Sequence, residues 1–171
     1  MSWQNKIRTI PDWPKPGILF RDITPLLADP QAFAESIEAL AEVVRPWRPA
    51  LIAGTEARGF IFAAALSLKL GAGFIPIRKK GKLPAATIRE EYSLEYGTDS
   101  VEMHADAAGP GTRVVLVDDV LATGGTAAAC LRLIRKTGAE LCGAAFLIEL
   151  SELQGRKKLP EDVPTRSLIV Y

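Results

Sequence analysis

A chain of 171 residues, 48% hydrophobic and carrying a formal net charge of +1, is long enough for one domain (1–171) with a proper core. The near-neutral balance removes bulk attraction to nucleic acid or to an acidic membrane surface. No apolar run is long enough to span a bilayer, and no basic–apolar–small leader opens the chain. Cys130 and Cys142 have neither metal-ligand spacing nor a disulfide framework. They read as small core residues of a cytoplasmic protein without nucleic-acid or membrane partners.

Residues 1–28 form an arm punctuated by Pro11, Pro14, Pro16 and Pro25. Asp29 and Pro30 then supply a cap and a first helical position, and Phe33, Ile37, Leu40, Ala41 and Val44 recur on one helical face up to Pro46. A short buried strand over 51–53 leads into a Gly-containing turn. A helix over about 60–70 ends at Gly71, and a strand over 73–77 follows. Residues 78–108 interrupt this βα rhythm with polar, alternating sequence. Tyr92, Leu94 and Tyr96 share one face, Gly97 turns the chain, and Val101 and Met103 return, which predicts a β-hairpin. The βα pattern resumes with a strand over 113–117, a helix over about 125–137, a strand over 141–150 and a last strand near 167–171. Strands alternating with helices predict an α/β fold: a doubly wound, mostly parallel sheet with helices on both faces. The hairpin, about 82–105, reads as a flexible lid inserted between parallel units, because a polar excursion in a compact domain has few apolar contacts to hold it down.

The stretch VVLVDDVLATGGT (114–126) is the most specific feature. Val114, Val115, Leu116 and Val117 form a strand buried on both faces. Asp118 and Asp119 stand at its carboxyl end, where open α/β sheets bind ligands. Ala122, Thr123, Gly124, Gly125 and Thr126 then turn into a helix and can offer free N–H groups to an anion. The acids cannot belong to a phosphate cradle, since like charges repel. They suit ribose hydroxyls or a metal ion, so the stretch reads as a site for a phosphorylated sugar. No G-x-x-x-x-G-K-[ST] and no G-x-G-x-x-G is present, which disfavours P-loop and dinucleotide enzymes. The only histidine, His104, belongs to no Ser–His–Asp set.

The order of strand, paired acids and Thr-Gly-Gly-Thr loop resembles the phosphoribosyl pyrophosphate (PRPP) motif of the type I phosphoribosyltransferases. PDWPKPGILFRDITPLL (11–27), GTEARGF (54–60), IRKKGKLP (77–84) and EYSLEYG (91–97) extend the resemblance over nearly the whole chain and narrow it to the adenine phosphoribosyltransferase family. The resemblance implies transfer of the phosphoribosyl group from PRPP to adenine, giving AMP and pyrophosphate in purine salvage. It also implies Mg²⁺ carried by PRPP, with no direct protein ligand beyond water bridges to Asp118 and Asp119, and a homodimer. Two alternatives remain at this level. One is another base (xanthine, hypoxanthine or guanine); the other is a PRPP-sensing module, for which the chain has no room for a winged helix.

Within that resemblance each part of PRPP has expected partners. The 5′-phosphate suits Ala122, Thr123, Gly124, Gly125 and Thr126, and the ribose hydroxyls suit Asp118 and Asp119. Arg58, Arg78, Lys79 and Lys82 suit the pyrophosphate, Arg58 and the two acids being counted as catalytic. The turn holding Arg58 is expected to carry a cis Glu56–Ala57 bond. Phe20 would stack on adenine, with the main chain of Leu19 and Arg21 reading its edge. Glu95 would accept the N9 proton, and Tyr96 would close with the lid.

Overall fold

The computed structural model describes residues 2–93 and 97–171. The chain divides into two compact units, with the division between Ala39 and Leu40.

In the first unit the Pro-punctuated arm is more regular than its sequence suggests. Two strands, β1 (Arg8–Pro11) and β2 (Leu19–Asp22), pair antiparallel with Ile10 opposite Phe20. Left-handed Asp12 and Gly17 and a cis Trp13–Pro14 bond turn the chain between them, and the Gly17 N–H donates to the Asp12 carboxylate at 2.8 Å. Asp22 ties the unit together. It accepts from the Thr24 backbone N–H at 2.9 Å and from Arg8 Nε at 3.0 Å, and these bonds, the Thr24 one foremost, hold its pKa below the usual carboxylate range. A short helix α1 (Thr24–Ala28) follows. The longer α2 (Pro30–Val44) starts where its sequence signals place it. The Asp29 carboxylate caps it by accepting from the Gln31 and Ala32 N–H groups at 3.1 and 3.0 Å.

The second unit is built on a sheet. Its elements are β3 (Leu51–Thr55), α3 (Arg58–Leu70), β4 (Gly73–Lys79), β5 (Thr87–Ser93), β6 (Thr98–His104), β7 (Arg113–Leu121), α4 (Gly125–Lys136), β8 (Glu140–Glu149) and β9 (Thr165–Val170). The spatial order is β5-β6-β4-β3-β7-β8-β9. β4, β3, β7, β8 and β9 run parallel, and the β5–β6 hairpin adds antiparallel to the β4 edge. Beneath α4, Ala53, Ile75, Leu116 and Phe146 pack with Cys130 and Leu131. On the other face β3 presses on α3 so closely that a Cβ on Gly54 would lie 2.5 Å from the Ala63 Cβ. Trp47 packs on β8 in the same manner, 2.5 Å from where a Gly143 Cβ would be.

Two expectations are corrected. The strand carrying the acids does not stop at Val117 but runs to Leu121, because Asp118, Val120 and Leu121 stay in register with Phe146, Ile148 and Glu149 of β8. The base of the hairpin is not poor in apolar contacts either. Val101 and Met103, 3% and 0% exposed, belong to the core under α4, and Ile88 and Tyr92 lean on it.

Moving outward from the β3–β7 pair, the chain steps to β4 on one side and β8 on the other. This reversal opens a crevice at the carboxyl ends of the two strands, the location where open α/β sheets bind ligands.

Gly54→Ala should destabilise the fold by about 1–3 kcal/mol, the usual cost of forcing a methyl into a full contact. Denaturant unfolding measures it, and an unchanged midpoint would contradict the β3–α3 packing.

Candidate functional site

At that crevice lies a cleft of about 250 Å³, walled by the turn 55–58, the acid pair, and the loop and helix start 122–127. Both α3 and α4 begin at it. Their first-turn N–H groups lack intrahelical acceptors, so two positive helix ends border one cavity.

The acids form its floor. Asp119 is 5% exposed, and Asp118 lies beside it, accepting the Asp119 N–H at 2.9 Å. Burial and the neighbouring Asp119 charge raise the pKa of Asp118 well above the usual carboxylate range. Burial raises that of Asp119 too, although Arg58 opposes it. Arg58 Nε lies 2.7 Å from Asp119 Oδ2, an ion pair without the alignment of a hydrogen bond, since that oxygen has no hydrogen-bond partner among the described residues. Arg58 was expected to face a pyrophosphate pocket; it lines the cleft but is turned onto the acid. The Glu56–Ala57 bond before it is cis, as expected. Gly59 lets α3 start against the acids, since a Cβ there would sit 2.4 Å from Asp118 Oδ1.

The loop 122–126 lines the cleft as anticipated. Gly124 has φ +77°, a conformation for which glycine is suited, and α4 begins at the next residue. The amides of Gly125, Thr126 and Ala127 thus stand at a helix N-terminus, positioned to receive an anion.

The remaining basic residues lie at the end of β4 and just beyond it. Arg78 donates to Glu56 Oε2 from Nη2 at 3.0 Å and to the Lys82 carbonyl from Nη1 at 3.1 Å. Glu56 also accepts from the Lys79 backbone N–H. Burial pushes the Glu56 pKa up, but the Lys79 N–H and Arg78 outweigh it and the net shift is downward. Lys79 Nζ pairs with Asp99 Oδ2 at 3.1 Å, which raises the lysine pKa. Lys82 is exposed. The cations expected for a pyrophosphate are therefore present but not gathered as bare charge: Arg58, Arg78 and Lys79 each face a carboxylate. Sequence reasoning passed over Glu56 and Asp99, the acids that organise this group. Glu56 sits inside the recognised turn and could have been found there; Asp99 had no local signal.

In the first unit Phe20 is half-buried and meets Trp13 edge-on with ring centroids 4.4 Å apart. It is thus not a core aromatic. Leu19 and Arg21 flank it on β2, whose second edge faces away from β1. Glu95 and Tyr96 lie outside the described residues. Among the described residues no group of three or more His, Cys, Asp or Glu side chains is placed to hold a metal ion.

Comparison with known proteins agrees with this geometry. A family model described as a phosphoribosyl transferase domain matches residues 22–168. An adenine phosphoribosyltransferase from Rhodospirillum centenum is 57% identical over 171 residues, covering 100% of this chain and 99% of its own. Among solved structures, adenine phosphoribosyltransferase from Thermoanaerobacter pseudethanolicus superposes with a TM-score of 0.94 at 53% identity, over 98% of this chain and 97% of that one. The Saccharomyces cerevisiae enzyme, complexed with an imino-altritol bisphosphate and adenine, gives 0.91 at 39% identity over 97% and 96%.

The raised pKa of Asp118 makes a prediction with a definite sign. The folded chain holds this proton more tightly than the unfolded chain, so stability falls as pH rises from the usual carboxylate range through the raised value. Asp118→Asn keeps an acceptor for the Asp119 N–H and abolishes the titration. The ligand-free variant should therefore melt higher than wild type at pH 7, and the gain should shrink to nothing below the usual carboxylate pKa. Melting curves across pH measure this; a lower Tm at every pH would contradict it.

Proposed function

The chain belongs to the adenine phosphoribosyltransferase family, and we propose that its cleft binds PRPP and transfers the phosphoribosyl group to adenine, releasing pyrophosphate and leaving AMP. The observation that carries the reading is the juxtaposition at one crevice of a helix-N-terminal loop suited to a phosphate and two adjacent carboxylates, Asp119 buried and Asp118 half-buried, that Arg58 offsets only in part. A phosphate and a sugar that becomes cationic need these opposite environments side by side.

In this reading the 5′-phosphate lies in the loop 122–126, receiving the amides at the start of α4 and the hydroxyls of Thr123 and Thr126. Asp118 and Asp119 face the ribose 2′- and 3′-hydroxyls. As the bond to pyrophosphate lengthens, the anomeric centre gains positive charge, and the two carboxylates stabilise it more than they stabilise the neutral ground state. Their own repulsion and desolvation are relieved in the same step. Arg78, Lys79 and Lys82 receive the leaving pyrophosphate, and Arg58 exchanges its Asp119 contact for that anion or shares it. Phe20 stacks on the adenine ring while the Leu19 and Arg21 main chain reads its edge. A carbonyl there accepts from the exocyclic amine and rejects a 6-oxo purine. Glu95 takes the proton from N9. Tyr96 and the hairpin tip close over the substrates and keep water from the activated sugar.

The donor set suits a magnesium ion that arrives with PRPP. Two carboxylates are too few for a resident all-protein site, but Mg²⁺ keeps several waters and uses one or two carboxylates plus substrate phosphates. Asp119 Oδ2, ion-paired with Arg58 but without an aligned hydrogen-bond donor among the described residues, is a natural contact for such a water. The ion would supply charge neutralisation of the pyrophosphate. We further assign the enzyme to the cytoplasm, a setting supported by two buried free cysteines, and to a homodimer. Exposed Ile61 and Leu68 on α3 leave apolar surface for a second subunit, and light scattering tests that assembly.

The direct test of the reaction is an assay with PRPP, Mg²⁺ and four bases: adenine, hypoxanthine, guanine and xanthine. AMP formation with adenine alone is expected; turnover of a 6-oxo purine at a comparable rate would overturn the base assignment. Asp118→Asn together with Asp119→Asn should nearly abolish kcat in a folded protein, because the amides keep the shape and lose the charge. Near-normal kcat would remove the acids from the mechanism. Phe20→Ala should weaken adenine roughly ten- to hundredfold, the equivalent of one aromatic–base stack, while PRPP affinity changes little. An equal loss for both substrates would show a structural role.

A further inference from the structure

Gly155 touches the loop that the sequence marks most strongly, yet it lies about thirty residues downstream and outside every recognised motif. Its α-carbon faces the main chain of that loop. A Cβ on Gly155 would lie 2.1 Å from the Ala122 carbonyl oxygen and 2.7 Å from the Gly124 nitrogen. Reciprocally, a Cβ on Gly124 would lie 2.2 Å from the Gly155 carbonyl oxygen. These are backbone-to-backbone approaches with no flexible side chain to give way. Gly124 needs its positive φ as well as the space, whereas Gly155 has no left-handed conformation to require glycine. The space alone selects glycine at 155.

The residues after Gly155 anchor it in place. Arg156 forms a fork on Glu149 at the end of β8, donating from Nε to Oε1 at 2.9 Å and from Nη2 to Oε2. Its Nη1 donates to the Thr165 carbonyl at 3.0 Å, and Ser167 of β9 donates to Glu149 Oε2 at 2.7 Å. Glu149 is 7% exposed, so this fork is buried on its acidic side and charge-assisted throughout. Leu159, a turn later, is buried in the core beneath α4. The short 3₁₀ turn Gly155–Lys158 is therefore fixed to β8, to β9 and to the core, and presents one glycine to the loop.

We propose that Gly155, held by the Arg156–Glu149–Ser167 clamp, is a positioning residue for the 122–126 loop and sets its amides at the distance a 5′-phosphate requires. The proposal rests on the reading that this loop receives that phosphate. Ala122 is only half-buried and Thr123 is exposed, and hydrogen bonds to an anion weaken steeply as donors rotate away. A rigid backstop against the loop preserves their aim without touching the ligand.

The experiment is steady-state kinetics of Gly155→Ala and Arg156→Lys in the full-length protein, with PRPP and adenine varied separately, alongside Lys157→Ala as a neighbouring control. Displacing the loop by a methyl should raise KM for PRPP by about tenfold or more, with KM for adenine within twofold of wild type. Arg156→Lys keeps the charge but loses the fork, and should shift KM for PRPP in the same direction by less. Lys157→Ala should behave as wild type. A folded Gly155→Ala with unchanged KM for PRPP overturns the proposal, as does an equal rise for both substrates with a lowered Tm, which is general loosening. Should Gly155→Ala fail to fold, Arg156→Lys decides by the same criterion. Should wild type form no AMP from PRPP and adenine, the functional reading falls, and inorganic phosphate becomes the probe. Equal calorimetric affinity for phosphate in wild type and Arg156→Lys then overturns the positioning role, and a weaker affinity in the variant sustains it.

Discussion

Two carboxylates side by side and largely out of water, Asp118 half-buried and Asp119 buried, set the terms for everything around them. Burial and mutual repulsion both work against their ionised forms. The fold sets the Arg58 guanidinium against Asp119, the Asp119 N–H against Asp118, and the positive ends of two helices at the rim. That compensation is incomplete, as the raised pKa values show. An unrelieved negative charge is what a site needs if its reaction generates positive charge on a sugar, because the unfavourable interaction is relieved only when the transition state forms.

Close approach of main chain to main chain makes this arrangement possible. β3 reaches α3 through Gly54, α3 reaches the acids through Gly59, and the 122–126 loop reaches the turn after β8 through Gly124 and Gly155. Each position brings a helix start or a loop a few ångströms nearer to the strand ends than any side chain would permit. Amides can then point at a ligand directly. The glycines of the site are thus spent mostly on proximity, and only Gly124 among these four also needs a left-handed backbone.

Positive charge is handled in the opposite way to negative charge. Arg58, Arg78 and Lys79 are each held by an acid that is not their expected ligand: Asp119, Glu56 and Asp99. Such pairing keeps long side chains ordered and limits repulsion among neighbouring cations. Under the proposed function, a pyrophosphate would meet oriented cations and compete with these carboxylates, at some cost in gross affinity and a gain in preorganisation.

The acid pair and the Gly/Thr loop were legible in the sequence because they are encoded within a dozen consecutive residues, and the βα alternation because each of its elements is local; the cis bond before Arg58 was expected from the family resemblance alone. Local chemistry dictates the first three: β-branched runs make buried strands, and small residues make turns that a helix can follow. The base of the hairpin was misread for the same reason. Its polar alternation is local, whereas the burial of Val101 and Met103 depends on α4, contributed by residues far along the chain. What only the tertiary structure decided is who stands opposite whom. No spacing rule joins Arg58 to Asp119, Lys79 to Asp99, or Gly155 to Ala122, since these partners come from separate elements brought together by the strand order. Sequence by itself determined which groups could do the chemistry; the three-dimensional packing determined their charge state, their pairing and their aim, because burial and Coulomb interactions depend on distance in space rather than along the chain.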